Sequence, residues 1–362
     1  MGSQNLELKH PLTHQGQQFG LKTLWIWLAA LAAVWIFQFF FVAQLDDYFL
    51  TIIAFAGINI ALAVSLNLLN GFTGQFSMGH AGFMSVGGYT AAYITTSLQV
   101  SFPELFATIQ SPHLDLLPWS FLAIFCFLGA LATGGIVAGL AGYVVGLPSL
   151  RLKGDYLAIV TLGFGEIILV LLLNIDAVGG ARGMPQIPPL SKFGWVFSFA
   201  WLTVFLTWRL INSAHGRTFL AVREDEIAAE AMGVNTTYAK VRAFVTGAFF
   251  AGVAGGLFAH RIQYLNPQTF DFNKSFEIII MVVLGGMGSI TGSICAAIIL
   301  TVLPEALRPL QEITKVDLRM VIYSFLLIVL MLTRPNGLFG TREYTDFLSP
   351  FWRKKILGKE SA

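Results

Sequence analysis

The chain has 362 residues, 56% of them hydrophobic and only 12% charged, with a net charge of +2 and a mean hydropathy of +0.71. A soluble chain of this length would carry about 25% charge, so a soluble globular protein is excluded and an integral membrane protein is indicated. The small net charge says nothing about nucleic acid, but no basic stripe interleaved with aromatics appears, so no nucleic-acid partner is expected and the lipid bilayer is the chain's main environment.

Residues 1–20 are polar, and the apolar run from Leu24 to Ala43 is too long for a signal-peptide core, so it reads as a retained first helix. Further apolar segments follow at 48–69, 72–98, 119–147, 156–175, 194–212, 241–262, 276–287, 290–307 and 319–333. The predicted fold class is all-α, a polytopic helical membrane protein with about 8–10 transmembrane segments, some broken or re-entrant. The segments 72–98 and 276–287 are the ones expected to be irregular. Residues 1–23 form an N-terminal tail, 24–340 one membrane domain, and 341–362 a basic C-terminal tail.

Orientation follows the cations. Lys9, Lys22, Arg151, Lys153, the island described below, and Arg342, Arg353, Lys354 and Lys355 fall on one side, taken as cytoplasmic together with both termini. Asp46, Asp47 and the loops 99–118 and 176–193 fall on the other. Arg308, Lys315 and Arg319 fit this count poorly.

The glycines cluster. Gly71, Gly74, Gly79, Gly82, Gly87 and Gly88 lie in GFTGQFSMGHAGFMSVGGY, and Gly285, Gly286, Gly288 and Gly292 lie in LGGMGSITG. Such density breaks a helix or lets two backbones touch. A broken helix at membrane depth is tolerated only where protein or water covers it. Gln75, Ser77, His80, Gly82, Gly285 and Gly286 are therefore candidates for lining a pathway, with plain packing as the alternative. Glu166, inside TLGFGEIILVLLLN, is a further candidate. An ionisable group at the centre of a span costs about 2.5–3.5 kcal/mol on insertion scales, so it must face protein or water. A structural hydrogen bond and a substrate role both satisfy that demand.

The most informative stretch is Gly216 to Arg242, a polar island of GRTFLAVREDEIAAEAMGVNTTYAKVR between apolar segments. A plain turn between packed helices needs about 2–8 residues. Within it Ile227, Ala231 and Val234 fall on one helical face beside Glu226 and Glu230, and Gly233 stands where a helix would end. A surface helix of this kind suits docking onto another protein.

No phosphate-cradling loop occurs, because the only Gly-Lys pair, Gly358-Lys359, is followed by Glu360. No nucleophile elbow, zinc motif or Cys/His cluster is present, and Cys126 and Cys295 both sit in apolar runs. The chain reads as a non-enzyme with no cofactor and no metal site, and any ATP-driven step needs a separate subunit.

GQFSMGHAGFMSVGGYTAAY, SLRLKGDYLAIVTLGFGEIILVLLLN, the island, MVVLGGMGSITG and RPNGLFG together resemble the LivM-type permeases of branched-chain amino acid ABC transporters, in order from about residue 45 to 340. The resemblance implies that the island, over 214–240, is the cytoplasmic coupling segment that fits a groove on an ATPase subunit. The coupling candidates are Arg217, Arg223, Glu226, Glu230, Ala231 and Gly233; the docking helix would run from about Asp225 to Gly233, with Glu230, Ala231 and Gly233 matching the family motif and Ala228-Ala229-Glu230-Ala231-Met232-Gly233 standing in place of a strict E-A-A-x-x-x-G. It further implies ABC ATPase subunits, a second LivH-type permease and a periplasmic substrate-binding protein as partners, in a bacterial inner membrane. Urea and short-amide importers share the pattern. A stand-alone secondary transporter is the competing class, but it would not need the island.

Overall fold

Long apolar runs in a medium without water must satisfy their backbone groups internally, and here they do so as helices. The computed structural model describes residues 21–41, 44, 46–103, 118–150, 152 and 155–308, with short pieces between 324 and 343. The helices are α1 (Leu21–Phe41), α2 (Asp47–Asn70), α3 (His80–Ser101), α4 (Pro118–Ser149), α5 (Asp155–Asn174), α6 (Phe193–Ile211), α7 (Ala214–Glu224), α8 (Glu226–Ala231), α9 (Thr236–Ile262), α10 (Phe272–Gly285) and α11 (Ile290–Ala306). Among the described residues there is no strand, only one bridge between Met184 and Leu265. The protein is an all-α polytopic membrane protein. Within α2, α4, α5, α6 and α9, runs of 19 to 28 residues are long and apolar enough to cross a membrane. The predicted span 319–333 lies mostly outside the described residues.

The core is α9 with α2, α3 and α4 around it. Lipid offers no hydrophobic drive between helices, so close backbone approach has to hold them together. The glycines provide it. A Cβ on Gly87 would run into the Gly252 backbone, one on Gly252 would run into Ala138 and the Gly134 carbonyl, and one on Gly134 would come within 2.6 Å of the Gly87 carbonyl. Gly135 and Gly142 of α4 face Phe249, Val253 and Ala248 of α9. The Gly135/Gly139, Gly142/Gly146 and Gly252/Gly256 pairs are thus helix-packing positions. Two buried imidazoles in this core are paired with hydroxyls, His260 with Thr95 at 2.9 Å and His80 with Ser65 at 2.9 Å. Helix α1 lies at the edge against α6, where Trp27 meets Trp201, Phe205 and Trp208.

The two irregular segments are narrower than the sequence suggests. The first break covers 71–79 only, and from His80 onward Gly82, Gly87 and Gly88 lie in a regular helix. The reason is that these three glycines meet the backbones of Gly165, Gly252 and Gly255, so they serve contact, not bending. The second break is the turn 286–289. There Gly286 (φ +112°) and Gly288 (φ +94°) take conformations that side chains resist.

Helix direction follows from contacts along α9. Its start carries Lys240 and Arg242, and its end carries Arg261, which bonds Asp47 at 2.8 Å and Thr51 at 2.6 Å at the start of α2. The segment 176–190 folds onto 263–270, with Met184 N–H donating to Leu265 O at 2.7 Å and Ile187 N–H to Gln263 O at 3.2 Å.

Candidate functional site

The island folds as two helices, not one. Ser213 caps α7, and its hydroxyl accepts from Gly216 N–H at 3.4 Å. The chain then turns at Asp225, held extended (φ −158°) because its carboxylate caps α8, accepting from Ile227 N–H at 2.9 Å and Ala228 N–H at 3.0 Å. Helix α8 has six residues and ends at Ala231; Met232 follows as its C-cap, and then Gly233 at φ +83° with open space around it. Asn235 caps α9 by accepting from Tyr238 N–H at 2.9 Å.

Side chains lock this double turn onto the base of α9. Lys240, with its side chain only 3% exposed, pairs with Glu226 at 2.7 Å. The Glu230 carboxylate accepts from the Thr236 hydroxyl at 2.7 Å. These contacts leave the apolar residues pointing out. Ile227 is 73% exposed and Met232 84% exposed, while Ala228 and Ala231 are exposed beside them. Val234, expected on the same stripe, is half-buried because α8 stops three residues earlier. Arg217 is exposed on α7.

Arg223 reaches the other way. Its Cγ is the nearest neighbour of the Gly74 position, at 3.3 Å from where a Cβ would stand, and its Nη1 lies 2.6 Å from the corresponding point on Gly288. One side chain at the end of α7 therefore wedges against both glycine breaks.

Those breaks are held by asparagines. Asn70 accepts from Ser77 N–H at 3.1 Å and donates to Ser77 O at 3.4 Å. Asn67 accepts from Gly288 N–H at 2.9 Å. Met78 N–H donates to the Thr161 hydroxyl at 3.0 Å, and Ala81 N–H to the Ser275 hydroxyl at 3.2 Å. Gln75 is half-buried with its amide 3.5 Å from Thr73 O, Ser77 and His80 are buried, and Gly82 lies against Gly165 of α5. Gly285 touches Gly292, and Gly286 touches Gly340. Leu338 N–H donates to Leu284 O at 2.7 Å and Phe339 N–H to Gly285 O at 3.2 Å, so the Gly-Leu-Phe-Gly piece closes the second break. The Glu343 carboxylate caps α11 through Ile290 N–H at 2.7 Å and Thr291 N–H at 3.1 Å.

Arg223 thus brings the coupling candidates together with Gly74 and Gly288. Glu166 stands apart, exposed on the outer face of α5 beside Ile167, Val170 and Leu171. Asn67, Asn70, Lys240 and Glu343 do much of the holding. Of these, the asparagines carried a sequence signal, as polar groups inside or at the end of an apolar run. Among the described residues no cluster of His, Cys, Asp or Glu could hold a metal ion.

Residues 48–331 match the family model described as branched-chain amino acid transport system / permease component. The high-affinity branched-chain amino acid transport system permease protein LivM of Salmonella typhimurium is 35% identical over 316 residues, covering 78% of this chain and 67% of that protein. LivH of the same organism, a permease protein of the same transport system, is 25% identical over 302 residues, covering 78% of this chain and 91% of its own. The autoinducer 2 import system permease protein LsrC of Yersinia pseudotuberculosis is 28% identical over 197 residues, covering 51% of this chain and 55% of that one. No solved structure matches the chain significantly. A match spanning the whole membrane domain from α2 onward, with the capped double turn and both glycine breaks inside it, shows that the chain belongs to the branched-chain amino acid transport permease family.

Proposed function

We propose that the chain is the membrane-spanning permease subunit of an ATP-driven importer of branched-chain amino acids. It performs no chemistry. ATP is hydrolysed by separate ATPase subunits that grip the island over 214–240, and a periplasmic binding protein delivers substrate to the outer face. A second, LivH-type permease completes the membrane unit, which sits in a bacterial inner membrane with both termini in the cytoplasm. The observation that carries this reading is α8. Its backbone is capped at both ends and its acids are tied back to α9, so Ile227, Ala231 and Met232 project as a preformed apolar key.

Preorganisation matters here because a key that is already ordered loses little entropy on docking. Arg223 gives docking a route inward. Force on α7 reaches the 71–79 loop through Gly74 and the 286–289 turn through Gly288. Both breaks adjoin the inner ends of membrane helices, where a small shift changes how those helices pack. Gln75, Ser77, His80 and Gly82 on one side, and Gly285 and Gly286 on the other, are the parts moved.

Co-purification tests the reading. The chain expressed with its ATPase, second permease and binding protein should isolate as one assembly whose ATPase rate rises when leucine-loaded binding protein is added. An assembly with no ATPase bound, or a rate indifferent to leucine, would reject it.

A further inference from the structure

A break between two helices leaves carbonyls at the end of one and N–H groups at the start of the other without partners. At the turn between α10 and α11 a later piece of chain, residues 337–343, satisfies both. Leu338 N–H and Phe339 N–H donate to the Leu284 and Gly285 carbonyls at the end of α10, at 2.7 and 3.2 Å. The Glu343 carboxylate holds the start of α11 with both oxygens. Its Oε1 accepts from Ile290 N–H at 2.7 Å, and its Oε2 accepts from Thr291 N–H at 3.1 Å and from the Thr291 hydroxyl at 2.7 Å. Between these two holds Gly337 (φ +78°) and Gly340 (φ +60°) bracket Gly286. A Cβ on Gly337 would stand 2.6 Å from Gly286 N, and one on Gly286 would run into the Gly340 carbonyl.

Three holds therefore converge on the turn 286–289. Asn67 ties it to α2, Arg223 abuts Gly288 from α7, and the 337–343 strap lies against Gly286. They differ in how easily they let go. Asn67 is 0% exposed, so its bonds cannot be exchanged for water without opening the core. Leu338, Phe339, Gly340 and Glu343 are half-buried. Their N–H groups and carboxylate can take water as they part from the turn, which places the strap among the low-cost local openings of the fold. The glycines at both ends of the Gly-Leu-Phe-Gly piece give the backbone the freedom to swing.

We propose that residues 337–343 are a releasable clasp on the α10–α11 turn, with Glu343 as its latch, and that the ATPase stroke carried by Arg223 opens it. Closed, the clasp keeps α10 and α11 at one relative setting. Open, the two helices reset about Gly286 and Gly288. Glu343 is then a positioning residue for coupling, separate from the Ile227 and Met232 surface. This deepens the importer reading above and rests on it. Without the latch, resetting no longer waits for the loaded binding protein, and hydrolysis runs without leucine.

Hydrogen–deuterium exchange of the assembled importer reads the clasp. The amides of Ile290, Thr291, Leu338 and Phe339 should be protected without nucleotide. They should exchange faster, together, once ATP and vanadate trap the ATPase closed. In the resting assembly Glu343→Ala should speed exchange at Ile290 and Thr291 about tenfold, as loss of charge-assisted hydrogen bonds does. It should also raise ATPase activity in the absence of leucine, so that leucine-loaded binding protein stimulates little further while uptake falls. Glu343→Gln, which keeps one acceptor oxygen, should restore part of the stimulation. Gly337→Ala should open the clasp from its other end and give the same leucine-independent hydrolysis. Exchange unchanged on trapping, or normal leucine stimulation in Glu343→Ala with Ile290 and Thr291 deprotected, would overturn the clasp and leave the importer reading standing. If Glu343→Ala does not assemble, the trapped, unmodified assembly decides alone. A complete, unmodified assembly whose ATPase ignores leucine would overturn both.

Discussion

The side-chain carbonyl of Asn67 accepts a hydrogen bond from the backbone N–H of Gly288 at 2.9 Å, across 221 residues of sequence. The same amide donates to Ser289 O and to the Ser293 hydroxyl, each at 2.9 Å. Asn67 is fully buried, so one side chain in the last turn of α2 replaces water for the turn that joins α10 to α11. Gly71 packs against the same turn, and Arg223 presses on it from α7.

Asn67→Ala removes all three bonds and leaves Gly288 N–H unsatisfied in the interior. A buried donor without its partner costs about 1–3 kcal/mol. The thermal midpoint of the detergent-purified protein should fall, and Asn67→Leu should be no better, since the loss is of polar partners and not of volume.

Ile227→Asp and Met232→Asp change residues that touch little of their own chain. Surface substitutions of this kind usually stay within about 0.5 kcal/mol of wild type. Membrane yield and melting should therefore be unchanged while ATPase capture on an affinity column is lost. Normal capture by both variants would remove α8 from the docking surface.

Lys240→Met leaves Glu226 without its partner at the root of the double turn. Truncating one member of a buried, hydrogen-bonded pair is more damaging than replacing both. The double variant Lys240→Met/Glu226→Leu should recover more assembled complex than Lys240→Met alone, measured by size-exclusion chromatography. Glu230→Gln, which can still accept from Thr236, should assemble normally, whereas Glu230→Lys should not.

Gly82→Ala and Gly139→Ala separate two kinds of glycine. A Cβ at Gly82 would stand 2.9 Å from Gly165 Cα, which has no side chain to move aside, whereas at Gly139 the nearest atoms are 3.7 Å away. Gly82→Ala should lower the folded yield, as overpacking costs about 1–3 kcal/mol. Gly139→Ala should match wild type in the same fluorescence-detected chromatography assay.

Much of this architecture is written locally. Asp225 and Gly233 bound α8 in the sequence as they do in the structure, because a cap and a left-handed stop are single-residue signals. The apolar runs mark the helices for the same reason. What could not be read is pairing at a distance. Nothing in the sequence joins Arg223 to Gly74 and Gly288, Lys240 to Glu226, or Glu343 to the start of α11. Nor does periodicity tell a glycine that bends a chain from one that meets another glycine, which is why Gly82, Gly87 and Gly88 fall in a straight helix. The outward face of Glu166 is a property of the folded chain, legible only once α3 and α10 have taken the other side of α5.

Uptake of radiolabelled leucine into proteoliposomes tests the central claim most directly. Vesicles holding this chain, the second permease and the ATPase, with ATP inside and leucine-loaded binding protein outside, should accumulate leucine. Vesicles holding this chain alone should accumulate none under a sodium or a proton gradient. Concentrative uptake by the chain alone, or none by the complete set with ATP, would contradict the account.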